Sequence, residues 1–96
     1  MAGDKRIKEL CNALSQLDDP NSMMRFLDDL CTPTELTAMA DRWHVARLLK
    51  QGIPYRKINE MSGISTATIT RVARCLSSGS DGYNQLLDNL GEAKKR

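Results

Sequence analysis

The sequence predicts an all-α protein of about six helices, and three observations predict it. Apolar residues recur at spacings of three and four along most of the 96 residues, the period of a helix with one face turned inward. Only four aromatic residues are present, Phe26, Trp43, Tyr55 and Tyr83. The core must therefore be built from Leu, Ile, Met and Ala, the residues of helix-on-helix packing. Finally, β-branched residues alternate with polar ones at period two only in the short run Thr66 to Val72, which fits a helix equally well.

Taken in chain order, Ile7, Leu10, Cys11, Leu14 and Leu17 form the stripe of a first helix. Asp18, Asp19, Pro20 and Asn21 end it. Ser22 then caps a second helix, whose Met23, Phe26, Leu27 and Leu30 share a face while Asp28 and Asp29 meet water. These two stripes exceed what one small domain needs to cover, which assigns them to a dimer interface. Thr32-Pro33-Thr34-Glu35 is a strong helix start: a Thr cap, a Pro at the first helical position and a Glu three residues after the cap. The long third helix has Leu36, Met39, Ala40, Trp43, Ala46 and Leu49 or Lys50 on its inner face, and Gly52-Ile53-Pro54 stop it after about five turns. Trp43 reads as core and His44 as a surface or boundary residue.

Residues 55–74 read as a helix-turn-helix. Gly63 sits where the chain leaves the first of the two helices in a left-handed conformation. Ser65 or Thr66 caps the second. Ile58, Ile64, Ile69 and Val72 are spaced to pack the pair on each other and on the long helix before it. Asn59 stands where such motifs usually carry a small alanine. A last helical stretch, about 81–92, joins the dimerising part.

Charge divides unevenly. Met1 to Ala40 holds four basic and seven acidic residues, net −3, whereas Asp41 to Arg74 holds seven basic and two acidic, net +5. A polyanion should avoid the first part and favour the second. The closing Lys94, Lys95 and Arg96 are assigned no role. Cys11, Cys31 and Cys75, with the single histidine, have neither metal-ligand spacing nor a disulfide pattern, and reduced thiols fit the cytosol. No stretch approaches the ~20 apolar residues of a membrane span, and Met1 to Lys8 leads into no apolar signal core. The expectation is a soluble, cytoplasmic chain with no metal site and no membrane partner.

The face of the second motif helix left over from packing carries Ser65, Thr66, Ala67, Thr68, Thr70, Arg71 and Arg74. Small groups at a helix start allow close approach to base edges and thymine methyls, and a guanidinium grips guanine or holds a phosphate. Tyr55, Arg56 and Lys57, at the start of the first motif helix, are placed for backbone phosphates. These ten residues point to double-stranded DNA as the partner. An enzyme has no support, because there is no carboxylate pair, nucleophile–base set or glycine-rich phosphate loop.

With the capped long helix and the run Ala67-Thr68-Ile69-Thr70-Arg71 both in view, the sequence resembles the tryptophan repressor family over about residues 23 to 90, and within it the TrpR-related YerC/YecD branch. Leu30 to Glu35 followed by Arg42 looks like that family's third-helix start. The resemblance implies an intertwined homodimer with two reading heads on successive major grooves. It also implies a small-molecule effector pocket, in which Arg42, Arg71 and Thr32 match family pocket positions. Val72 and Cys75 replace a glycine and a serine there, and the turn is about one residue longer around Ser65 and Thr66, so side-chain volume should crowd an indole. Together these readings lead to one expectation: a single domain spanning 1–96, dimerising through about 5–50 and 81–92, that regulates transcription as a repressor, either without a ligand or with a corepressor other than tryptophan. The alternative is an adaptor for another protein, in which the helix-turn-helix is only structural.

Overall fold

The computed structural model describes residues 2–91, so the expected end of the last helix at 92 and the basic tail lie outside the described residues. Six helices follow one another: α1 (Ala2–Leu14), α2 (Pro20–Leu30), α3 (Pro33–Lys50), α4 (Tyr55–Ser62), α5 (Thr66–Ser78) and α6 (Gly82–Asn89). No strand occurs among the described residues, as the helical period and the aliphatic composition predict. The helices form two compact units, Met1–Leu36 and Thr37 onward.

In the first unit, two expected boundaries move. Helix α1 stops at Leu14, before the last residue of its stripe, Leu17. Beyond it the amides of Gln16 and Leu17 bond the carbonyls three residues back, at 3.1 Å each, which tightens the chain out of α geometry. Helix α2 is capped by Asp19, not Ser22. Pro20 is already the first helical residue, where its fixed φ is suited and its missing N–H costs nothing. Asp19 stands extended at φ −136° and ψ 151°, and its Oδ1 accepts from the Ser22 amide at 2.8 Å. That bond, together with the one from the Ser22 side chain, holds the exposed Asp19 carboxyl below its ordinary value of 3.8.

The start of α3 is built as its sequence requires. The Glu35 amide donates to Thr32 Oγ1 at 3.1 Å, and Glu35 Oε1 accepts from the Thr32 amide at 2.7 Å, the reciprocal pair of a capping box. Although Leu10, Leu14, Met23, Phe26 and Leu27 are half-buried, no residue from Asp4 to Leu36 is fully enclosed. Ile7, Met24 and Leu30 remain exposed.

The second unit owns the core. Val45, Ala46 and Leu48 of α3, Ile58 of α4, Ile64 of the turn, Ile69 and Val72 of α5, and Leu87 of α6 are buried together. All four apolar motif positions are among them. The inner face of α3 is only partly the one expected: Ala46 is enclosed, but Met39 and Ala40 are exposed and Leu36 is half-buried. Val45 and Leu48 take the core positions instead. The reason is that apolar side chains surround α3, so the period alone does not choose among its faces. The helix ends on Gly52 at φ +85°, with the Gly52 amide bonding Leu49 O at 2.9 Å and the Ile53 amide bonding Leu48 O at 3.1 Å. This is a Schellman ending, and its Ile53 packs against the core.

Two outcomes test this fold. Ile69→Ala, at a fully enclosed site, should cost about 2–5 kcal/mol in denaturant unfolding, the usual toll of a cavity in a close-packed core. The Asp19 cap contributes above the carboxyl's unfolded pKa and is lost as pH falls through the lower folded value. Helical circular dichroism should therefore decline on acidification through that range, and Asp19→Ala should remove this component.

Candidate nucleic-acid interface

Helices α4 and α5 are joined by Gly63-Ile64-Ser65. Gly63 adopts φ +76°, and its amide closes α4 on Asn59 O at 2.9 Å; a side chain would be strained there. Asn59 is more than a substitute for a small residue, because its Nδ2 donates across the turn to Ile64 O at 2.8 Å. The Ile64 amide is in turn satisfied by Ser62 Oγ at 3.1 Å. The cap of α5 is Ser65, whose Oγ accepts from the Thr68 amide at 3.1 Å, and Thr66 is the first helical residue. Together these bonds hold α5 at one angle to α4.

Ile69 and Val72 bury one stripe of α5. Facing away from it, Ala67, Thr70, Arg71 and Arg74 fall at i, i+3, i+4 and i+7, one continuous strip, and all four are exposed. Ser65 and Thr66 are exposed at the helix start, whereas Thr68 is half-buried and its hydroxyl accepts from Ser65 Oγ at 3.1 Å. Tyr55, Arg56 and Lys57 are exposed in the first turn of α4, where Pro54 supplies no side-chain cap. Across α4 and α5 the charged residues are Arg56, Lys57, Arg71 and Arg74 against Glu60 alone, so the exposed surface is positive.

The residues expected around an effector are placed differently from one another. Thr32 Oγ1 is engaged as the α3 cap. Arg42 is half-buried and Arg71 exposed. Val72 is completely enclosed, its branched side chain packed in the core between helices. Cys75 lines a cleft of about 400 Å³ together with Trp43 and Tyr83. Trp43 is half-buried and packs against the edge of the core, in keeping with its spacing. Its ring lies 6.4 Å from that of Tyr83 with 16° between the planes. Among the described residues no group of acidic, His and Cys side chains is arranged to hold a metal, and no helix is long and apolar enough to cross a membrane.

Residues 5–91 match the Trp repressor protein family. The chain belongs to that family. It is 44% identical over 90 residues to YerC, an uncharacterized protein of Bacillus subtilis (strain 168), a match covering 94% of this chain and 86% of YerC. It is 38% identical over 68 residues to a Trp operon repressor homolog of Vibrio vulnificus (strain YJ016), covering 70% of this chain and 67% of that one. The crystal structure of a TrpR-like protein from Eubacterium eligens ATCC 27750 superposes with a TM-score of 0.87 at 36% identity, over 95% of this chain and 94% of that one. The resemblance expected over about residues 23 to 90 thus extends back to residue 5 in this Trp repressor family member.

Loosening the turn should weaken the unit. Asn59→Ala and Ser65→Ala should each cost about 1 kcal/mol in urea unfolding, and Ser65→Asn should restore most of its share because Asn caps as well as Ser.

Proposed function

We propose that this Trp repressor family member is a DNA-binding transcriptional regulator, a repressor, that acts as a homodimer in the cytoplasm and reads the major groove with α5. The observation that carries this reading is the strip Ala67, Thr70, Arg71 and Arg74, exposed while Ile69 and Val72 on the same helix are fully enclosed. A helix so anchored presents small groups and guanidinium groups to base edges as a rigid set. Thr66 and Thr68 extend the set at the helix start, and Tyr55, Arg56 and Lys57 lie where they would hold the phosphate backbone. The Trp operon repressor homolog among its relatives supports the same class.

Dimerisation is supported by the exposed apolar side chains of Ile7, Met24 and Leu30, which a second copy would cover. Two copies related by a two-fold axis would place their α5 helices on half-sites about 34–36 Å apart. A corepressor other than tryptophan, or none, fits Val72 and Cys75: volume at these two positions leaves less room for an indole.

Selection of bound sequences from a random duplex library at near-physiological salt should enrich an inverted repeat. Arg71→Ala should weaken that site by about tenfold to a hundredfold, the worth of a bidentate guanine contact. Affinity should fall with salt at a log–log slope near −0.9 for each phosphate neutralised, and titration calorimetry should show no micromolar binding of tryptophan. A library without enrichment, or binding indifferent to salt, would favour the second reading, a protein adaptor. The apolar stripes of α1 and α2, none of whose described side chains is fully enclosed, are the observation on its side.

A further inference from the structure

Between α4 and α5 the chain crosses Gly63-Ile64-Ser65, and the backbone alone does not tie the two helices together there. The Gly63 amide closes α4 on Asn59 O at 2.9 Å, and α5 opens with the Ile69 amide on Ser65 O at 3.1 Å. Among the described residues no backbone bond joins Ile64 or Ser65 to α4. Side chains of α4 take over that task. Ser62 Oγ accepts from the Ile64 amide at 3.1 Å and donates to Ile58 O at 2.6 Å, while Asn59 Nδ2 donates to Ile64 O at 2.8 Å.

Ile64 is thus clamped at both its amide and its carbonyl. Asn59 brackets the turn by itself, with its own carbonyl on the Gly63 amide and its side chain on the Ile64 carbonyl. The second of these bonds is partly buried, so water replaces a lost donor poorly. One residue later Ser65 caps α5, which passes the placement of the Ile64 carbonyl directly to the helix that carries Ala67, Thr70, Arg71 and Arg74. Burial of Ile69 and Val72 sets how α5 is rotated about its own axis; the clamp sets how it tilts out of the turn.

We infer that Asn59, acting with Ser62, is a positioning residue for DNA reading: it touches no base and sets the angle at which α5 enters the groove. The inference rests on the DNA-reading proposal and adds to it a residue outside the reading helix. Contacts to base edges need their donors held within about 0.5 Å and about 10–20°. Contacts to phosphates, made as charge attraction by long Lys and Arg side chains, tolerate more. A small change of tilt therefore degrades base reading before it degrades general affinity for DNA.

Binding is measured by fluorescence anisotropy on the operator that the wild-type protein selects and on a random duplex, under conditions where urea titration shows each variant folded. Asn59→Ala should weaken operator binding about tenfold, the worth of roughly one well-aligned base contact. Random-duplex binding should stay within about twofold, because Arg56, Lys57, Arg71 and Arg74 are all retained. Ser62→Ala should show the same split, which decides the matter even where Asn59→Ala folds poorly. Selection repeated with Asn59→Ala should flatten discrimination across the whole half-site without changing the preferred bases. Equal losses on both duplexes would mark a role in folding alone, and unchanged binding no role; either overturns the inference. Discrimination lost at a single base pair would make Asn59 a base reader and overturns it too. A wild-type selection that enriches no sequence removes the DNA reading itself and this inference with it, whereas every other outcome leaves that reading standing.

Discussion

The enclosure of Ile69 and Val72 is the constraint from which the rest of the second unit follows. They are three residues apart on α5 and have no exposed surface, so α5 cannot rotate without pulling two branched side chains out of a close-packed core. The core itself is shared: Val45, Ala46 and Leu48 come from α3, Ile58 from α4 and Leu87 from α6. Fixing the rotation of α5 fixes which residues face out. Gly63, Asn59 and Ser65 then fix where the helix begins, through a positive φ, a bond across the turn and a cap. Burial and local hydrogen bonding therefore define the same orientation, the agreement between levels that specifies one structure.

The two parts of the chain are unlike in both packing and charge. The second unit encloses eight apolar residues and carries the positive segment. The first encloses none from Asp4 to Leu36 and is net acidic through Ala40. Such a division concentrates the positive field in the second unit.

Much of this was legible because it is local. The capping box at Thr32 and Glu35, the glycine at 63, the cap at 65 and the four apolar motif positions each need only a few neighbouring residues, and each stands as read. What was not legible depends on choices between near-equal alternatives or on distant partners. Asp19 and Ser22 are both good caps, and Pro20 decides between them by occupying the first helical position. Apolar residues surround α3, so its enclosed face is selected by what packs against it. Trp43 reads as core and packs at its edge, where its ring stacks on Tyr83, far along the chain. Val72 packs in the core, as its spacing with Ile69 predicts.

Helices α1 and α2 carry consequences for the life of the protein in a cell. Short helices with no enclosed side chain hold little stability of their own, so an uncovered copy opens there most often and is cut there first. Were a second copy to cover those stripes, the lifetime of the protein would follow how much of it is assembled and not its synthesis alone.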